Sequence, residues 1–341
     1  MIPWRGTPKG QWMRDAVSFR EWRVNRSLYI TAAAVMLFPW ILILSTSIGG
    51  PGGELLELRA IVGDNAGLGP MNGWITALAG LLALGVFWND RSRGGLDTSM
   101  EGPVSRRALL MAKIRLGIFT ITGVWVLLFV TLAFIALAIG QAGLIGPLVV
   151  AALWSLCSAV ALYMVTVSFG AAMGSVFFTA LASLLWVMLP RIVDSVVFQL
   201  TLGFGQRLSL ATATGWETTL IDIRWFSVLT DGRPTGWVAV LYAGYFAALA
   251  LFVGWRALVW WQRTPMERFH DPFYYPQLWN FWYAFLAILS GMFVAALTIP
   301  NAGSQARLYV GALVFGVPLW FLWRWIWRLL SRNALSWGPQ S

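Results

Sequence analysis

Apolar residues in this chain run on in long stretches, without the alternation of a half-buried strand or the polar face of a surface helix. Such stretches occupy 28–48, 73–88, 114–139, 147–169, 176–200, 236–259, 278–299 and 308–329. A helix rises 1.5 Å per residue, so about 20 apolar residues cross a hydrocarbon core about 30 Å thick. The pattern predicts an all-α polytopic membrane protein with about eight transmembrane helices. An even number of crossings puts both termini on the same side. The second stretch is short, whereas the third and fifth are long enough to tilt or break near their ends.

Composition removes the alternative that length alone would favour. A chain of 341 residues could form two soluble domains, but 58% of its residues are hydrophobic and only 11% are charged. That leaves too little polar side chain to cover a soluble core. The net charge of +10 would suggest nucleic acid for a soluble protein. In a membrane protein its placement matters more, because Lys and Arg resist translocation. With the N-terminus inside, 18 of the 24 Lys and Arg fall on the inner side but only 7 of the 14 acids. The charge therefore predicts an N-in, C-in topology with the bilayer as partner and no nucleic acid. The 22 Trp suit anchors at the two membrane interfaces.

Two polar-bearing segments outside the spans have helical character. Trp12 to Arg26, WMRDAVSFREWRVNR, mixes Arg with apolar residues and contains no Gly or Pro. Trp12, Met13, Ala16 and Phe19 share one side of a helix. We expect an interfacial amphipathic helix there, within an N-terminal region 1–27, with Arg heads toward anionic lipid. The outer segment 201–234 is too apolar to remain solvated and is expected to form short helices on the outer face. The inner segment 262–277 holds three prolines and reads as a linker.

Candidate chemistry is sparse. The sequence contains no phosphate-cradling G-x-x-x-x-G-K-[ST], no H-E-x-x-H and no G-x-S-x-G. The single Cys157 and single His270 leave no disulfide framework and no His cluster. These absences predict a chain that is not an enzyme and holds no cofactor or metal of its own. Arg191 and Asp194, three residues apart near the outer end of the fifth stretch, can face each other. They are candidates for an outer gate or pathway, or for a locally paired interfacial charge. Gly170 and Gly174 have G-x-x-x-G spacing, but they straddle the junction of the fourth and fifth stretches and so predict a tight turn.

The most distinctive polar stretch is NDRSRGGLDTSMEGPVSRRALLMAK, from Asn89 to Lys113. It is long and mixed in charge, and Ser105 stands as a natural N-cap for a helix starting at Arg106. The positive-inside rule accounts for its Arg residues but not for its length, its acids or its capped restart.

With Glu21-Trp22-Arg23 upstream, this stretch resembles the permease subunits of the ABC-2-type transporter family. Asp90, Gly95-Leu96, Pro103-Val104-Ser105-Arg106 and Lys113 match the family pattern in order and approximate spacing. Asp90 stands where Glu is more usual, and the Thr after Gly is absent. The resemblance runs from Trp12 to about residue 259. It implies a six-span core over 28–259, re-entrant outer helices within 201–234, and two additional C-terminal spans within 260–341. It also implies that the insert 88–113 docks on separate cytoplasmic ABC ATP-binding subunits, which hold ATP and magnesium. Asp90, Glu101, Pro103, Ser105, Arg106 and Arg107 would make that contact. A second permease subunit, the same or related, would complete an exporter in the bacterial cell membrane. A membrane scaffold or sensor that recruits a cytoplasmic partner through the same insert is the alternative.

Overall fold

The computed structural model describes residues 9–49, 68–92, 105–138, 140, 142–187, 236–263, 280, 283, 284, 287, 290, 291 and 314–325. Glu101, Pro103, Arg191, Asp194, His270 and the segment 201–234 lie outside the described residues.

The described residues contain helix and no strand. In chain order the helices are α1 (Lys9–Gly49), α2 (Leu68–Ser92), α3 (Arg106–Ala138), α4 (Ile145–Ala172), α5 (Val176–Val187), α6 (Gly236–Arg263) and α7 (314–325). A short 3-10 turn, Ala142–Leu144, joins α3 to α4. Four segments are long and apolar enough to cross a membrane: Ala16–Leu42, Arg106–Ala138, Ile145–Ala172 and Ala239–Arg263. The chain divides into two compact units, 1–190 with 224–274, and 191–223 with 275–341.

In the first unit α4 is the central helix, packed against α6, α2 and α3. Every residue from Ala161 to Ser168 is buried, so this helix turns no free face outward. Its small residues let neighbours approach closely, and Thr76 of α2 meets Ser158 of α4 across the contact at 3.5 Å. The outer helices carry large exposed apolar side chains, among them Phe38 on α1, Phe119 and Phe134 on α3, and Leu251 on α6. Such side chains suit hydrocarbon as a solvent. Hydroxyls bond back to their own helix, as Thr120 does to Leu116, Thr131 to Leu127 and Ser183 to Thr179, because lipid offers no partner.

The expectation of a separate interfacial helix before the first span is corrected in one respect. Residues 12–26 are helical, but α1 continues without a break from Lys9 to Gly49. No Gly or Pro between Trp12 and Phe38 interrupts the backbone hydrogen bonding. Ala16 and Phe19 are exposed, while Val17, Glu21, Asn25 and Tyr29 form a buried stripe at i, i+4. Farther along, Pro39 has no N–H for the Val35 carbonyl. The Trp74 indole on α2 donates to that carbonyl at 3.1 Å, which satisfies the acceptor that proline leaves open.

The turn predicted around Gly170 and Gly174 is present, with α4 ending at Ala172 and α5 beginning at Val176. Gly170 also serves packing within the chain. A Cβ there would lie 2.7 Å from the Phe87 ring of α2.

In the second unit α7 packs against the segment containing Ala287 and Ser290. The Trp323 indole donates to Ser290 Oγ at 3.3 Å, and Gly316 would place a Cβ 3.4 Å from the Ala287 carbonyl oxygen. Arg324 lies over the Trp320 ring, 5.6 Å from its centroid, in a cation–π contact.

Candidate functional site

Lys113 lies two turns inside α3 and is fully buried, although by sequence it belongs to the polar insert. An ammonium at that position has to be paired, since desolvating a lone charge costs several kcal/mol on the order of magnitude seen in proteins. Two carboxylates meet it. Glu21 Oε1 of α1 is 2.8 Å from Lys113 Nζ, and Asp90 of α2 also pairs with it.

Amide side chains close these pairs into a ring. Asn25, one turn along α1 from Glu21, donates to Glu21 Oε1 at 2.7 Å. Asn89, the neighbour of Asp90, donates to Asn25 Oδ1. The ring therefore links α1, α2 and α3 through Glu21, Asn25, Asn89, Asp90 and Lys113. Its fourth tie is to α4, where the fully buried Tyr163 hydroxyl donates to the Lys113 carbonyl at 2.9 Å.

The same end of this unit is fastened at two further points. Arg91 donates to the carbonyls of Gly170, at 2.9 Å, and Met173, and lies over the Phe87 ring. A cation suits this position, because the last carbonyls of a helix are unsatisfied and carry partial negative charge. The Trp261 indole of α6 donates to the Arg106 carbonyl at 3.0 Å and meets the Phe87 ring edge-on.

Ser105 caps α3 as its sequence position predicts. Its Oγ accepts the Ala108 N–H at 3.2 Å, and its carbonyl accepts the Leu109 N–H at 3.2 Å. Ser105→Ala should cost about 1 kcal/mol locally, and Ser105→Gly only a few tenths. Hydrogen exchange at the amides of Arg107 to Leu109 should then rise about fivefold in the alanine variant. Unchanged exchange there would show that the cap contributes nothing.

Of the expected contact residues, the structure brings Arg106 and Arg107 to the start of α3, with Arg107 exposed and Arg106 half-buried. The carboxylate of Asp90, another of the expected contact residues, is turned inward onto Lys113. Sequence reasoning missed Asn25, Asn89, Tyr163 and Trp261. Lys113 and Glu21 entered it only as parts of the family motif, with no partners assigned. The available signal was the position of Lys113 at the start of a strongly apolar run, where a charge requires partners.

The arrangement ties helices together through the pairing of Glu21 and Asp90 with Lys113. Lys113 is about 10 Å along the α3 axis from Arg106, seven residues at 1.5 Å each. A load applied at the capped tip of α3 therefore reaches the ring through two turns of stiff helix.

No protein-family model, curated protein or solved structure matches this chain.

Proposed function

We propose that the chain is the membrane-spanning permease subunit of an ATP-driven ABC transporter of the ABC-2 type, working as an exporter. A separate ATP-binding subunit docks at the start of α3. In this reading the chain crosses the bilayer eight times with both termini inside a bacterial cell, and ATP with magnesium is held by the partner. The observation that carries it is the ring centred on Lys113, which couples the exposed Arg107 tip of α3 to α1 and α2. Docked charges at Arg106 and Arg107 set register with the partner. Nucleotide-driven motion of that tip then tilts three helices together, because packed helices move as rigid elements. Asp90 acts behind the contact, as a link in the transmission.

The test is Arg106→Glu combined with Arg107→Glu in the full chain, purified without cross-linker beside the wild type. The variant should insert at the normal level and lose the ATP-binding subunit that accompanies the wild-type chain. Unaltered transport-coupled ATP hydrolysis in the variant would overturn the proposal.

A further inference from the structure

A second feature of the first unit lies away from the polar ring. Between α2, α4 and α5 there is a cavity of about 470 Å³ that opens sideways, with Leu81, Phe177 and Leu184 exposed at its rim. Leu84 and Leu162 line it, and its wall is apolar apart from Thr166 and Ser183. Ser183 spends its hydroxyl on the Thr179 carbonyl. Thr166 is fully buried, and its Oγ1 has no hydrogen-bond partner among the described residues; the Ser155 hydroxyl of α4 is likewise without one, but Ser155 does not line the cavity.

The contents of such a cavity follow from its wall. Apolar cavities stay dry, and one of about 150 Å³ already accepts a benzene ring. A space three times larger with a single free hydroxyl fits a hydrocarbon chain carrying one polar atom. Depth selects the kind of chain. Arg91 on the Gly170 and Met173 carbonyls marks the charged level of α2 and α4. Thr166 lies one turn deeper than Gly170, about 6 Å along the axis. The headgroup layer of one leaflet is about 5–7 Å deep, which puts Thr166 where headgroup gives way to hydrocarbon. The ester carbonyls of glycerolipids occupy that level.

We propose that this cavity is a binding site for one acyl chain of a glycerolipid, with the Thr166 hydroxyl donating to its ester carbonyl. The chain enters from the bilayer past Phe177 and Leu184 and lies along α2 beside Gly80. The site depends on the packing of α2, α4 and α5 and is independent of the transporter reading.

The experiment uses the purified full chain in phosphatidylethanolamine–phosphatidylglycerol nanodiscs. These carry a trace of phosphatidylglycerol with a photoactivatable diazirine in one acyl chain, and cross-links are located by peptide mass spectrometry. Labelling of 77–84 and 177–187 should exceed labelling around Phe134, an apolar α3 residue exposed outside the cavity. Ala180→Trp fills the cavity and should lower that labelling about tenfold while leaving the Phe134 region unchanged. Thr166→Val keeps the shape and removes the hydroxyl. It should lower labelling by the ester lipid about fivefold and leave an ether-linked analogue, which has no carbonyl, unaffected. Cavity labelling no greater than at Phe134, or equal loss of ester and ether lipid in Thr166→Val, would overturn the proposal. Should Ala180→Trp fail to insert, the ester-to-ether comparison in Thr166→Val decides alone.

Discussion

Replacing Lys113 with methionine is expected to destabilise the protein by about 3–5 kcal/mol, the usual cost of removing one partner from a buried ion pair. Methionine approximates the lysine side chain in length, so the loss comes from charge and not from a cavity. Glu21 and Asp90 would keep their carboxylates in a site where their side chains are only 7% and 11% exposed, with no cation between them. The triple variant Glu21→Gln, Asp90→Asn, Lys113→Met removes the charges together and should recover most of the loss, since the desolvation cost disappears with them. Thermal unfolding of the monodisperse protein in one fixed detergent measures both. A triple variant as damaged as Lys113→Met would mean that shape, not charge, governs the site. A single variant that melts with the wild type would remove the ring from any account of this fold.

The ring also marks where sequence reasoning reached and where it stopped. Apolar length located the four helices long and apolar enough to cross a membrane, because hydrocarbon thickness imposes a length on any crossing segment whatever its partners. The predicted stretch 236–259 falls inside α6, and the stretch 114–139 lies within α3 up to its last residue, Ala138. The Ser105 cap was equally legible, since an N-cap is a local event within four residues. Which face of each helix turns inward was not legible. In a soluble helix the apolar stripe marks the core, but in lipid the outer face is apolar too and periodicity loses its meaning. Phe19 on α1 is exposed, while Glu21 and Asn25 point inward, the reverse of what an aqueous rule would assign. Pairings such as Glu21 with Lys113, or Asn25 with Asn89, join residues far apart in the chain and depend on how three helices pack. The motif residues Glu21, Asp90 and Lys113 were all noticed, but only the fold brings them to one point.

Gly117→Ala offers the clearest test of that packing, because two local effects oppose each other in sign. Alanine should favour the middle of α3 by about 0.5–1 kcal/mol over glycine on backbone entropy alone. Its Cβ, however, would fall 2.1 Å from the Tyr163 hydroxyl oxygen, where no atom fits. Tyr163 is fully buried and cannot swing away without giving up its 2.9 Å bond to the Lys113 carbonyl. Overpacking costs about 1–3 kcal/mol, so steric exclusion should outweigh propensity and the variant should melt below the wild type. Adding Tyr163→Leu opens the space, and the double variant should be less damaged than the sum of the two single changes by about 1 kcal/mol. The Lys113 carbonyl is one turn below Gly117, so moving Tyr163 also disturbs the helix turn that carries the ring. Gly117→Ala should therefore be non-additive with Lys113→Met as well, since both act on one connected set of contacts. A rise in melting temperature for Gly117→Ala would show that α3 and α4 do not approach as closely as Tyr163 requires.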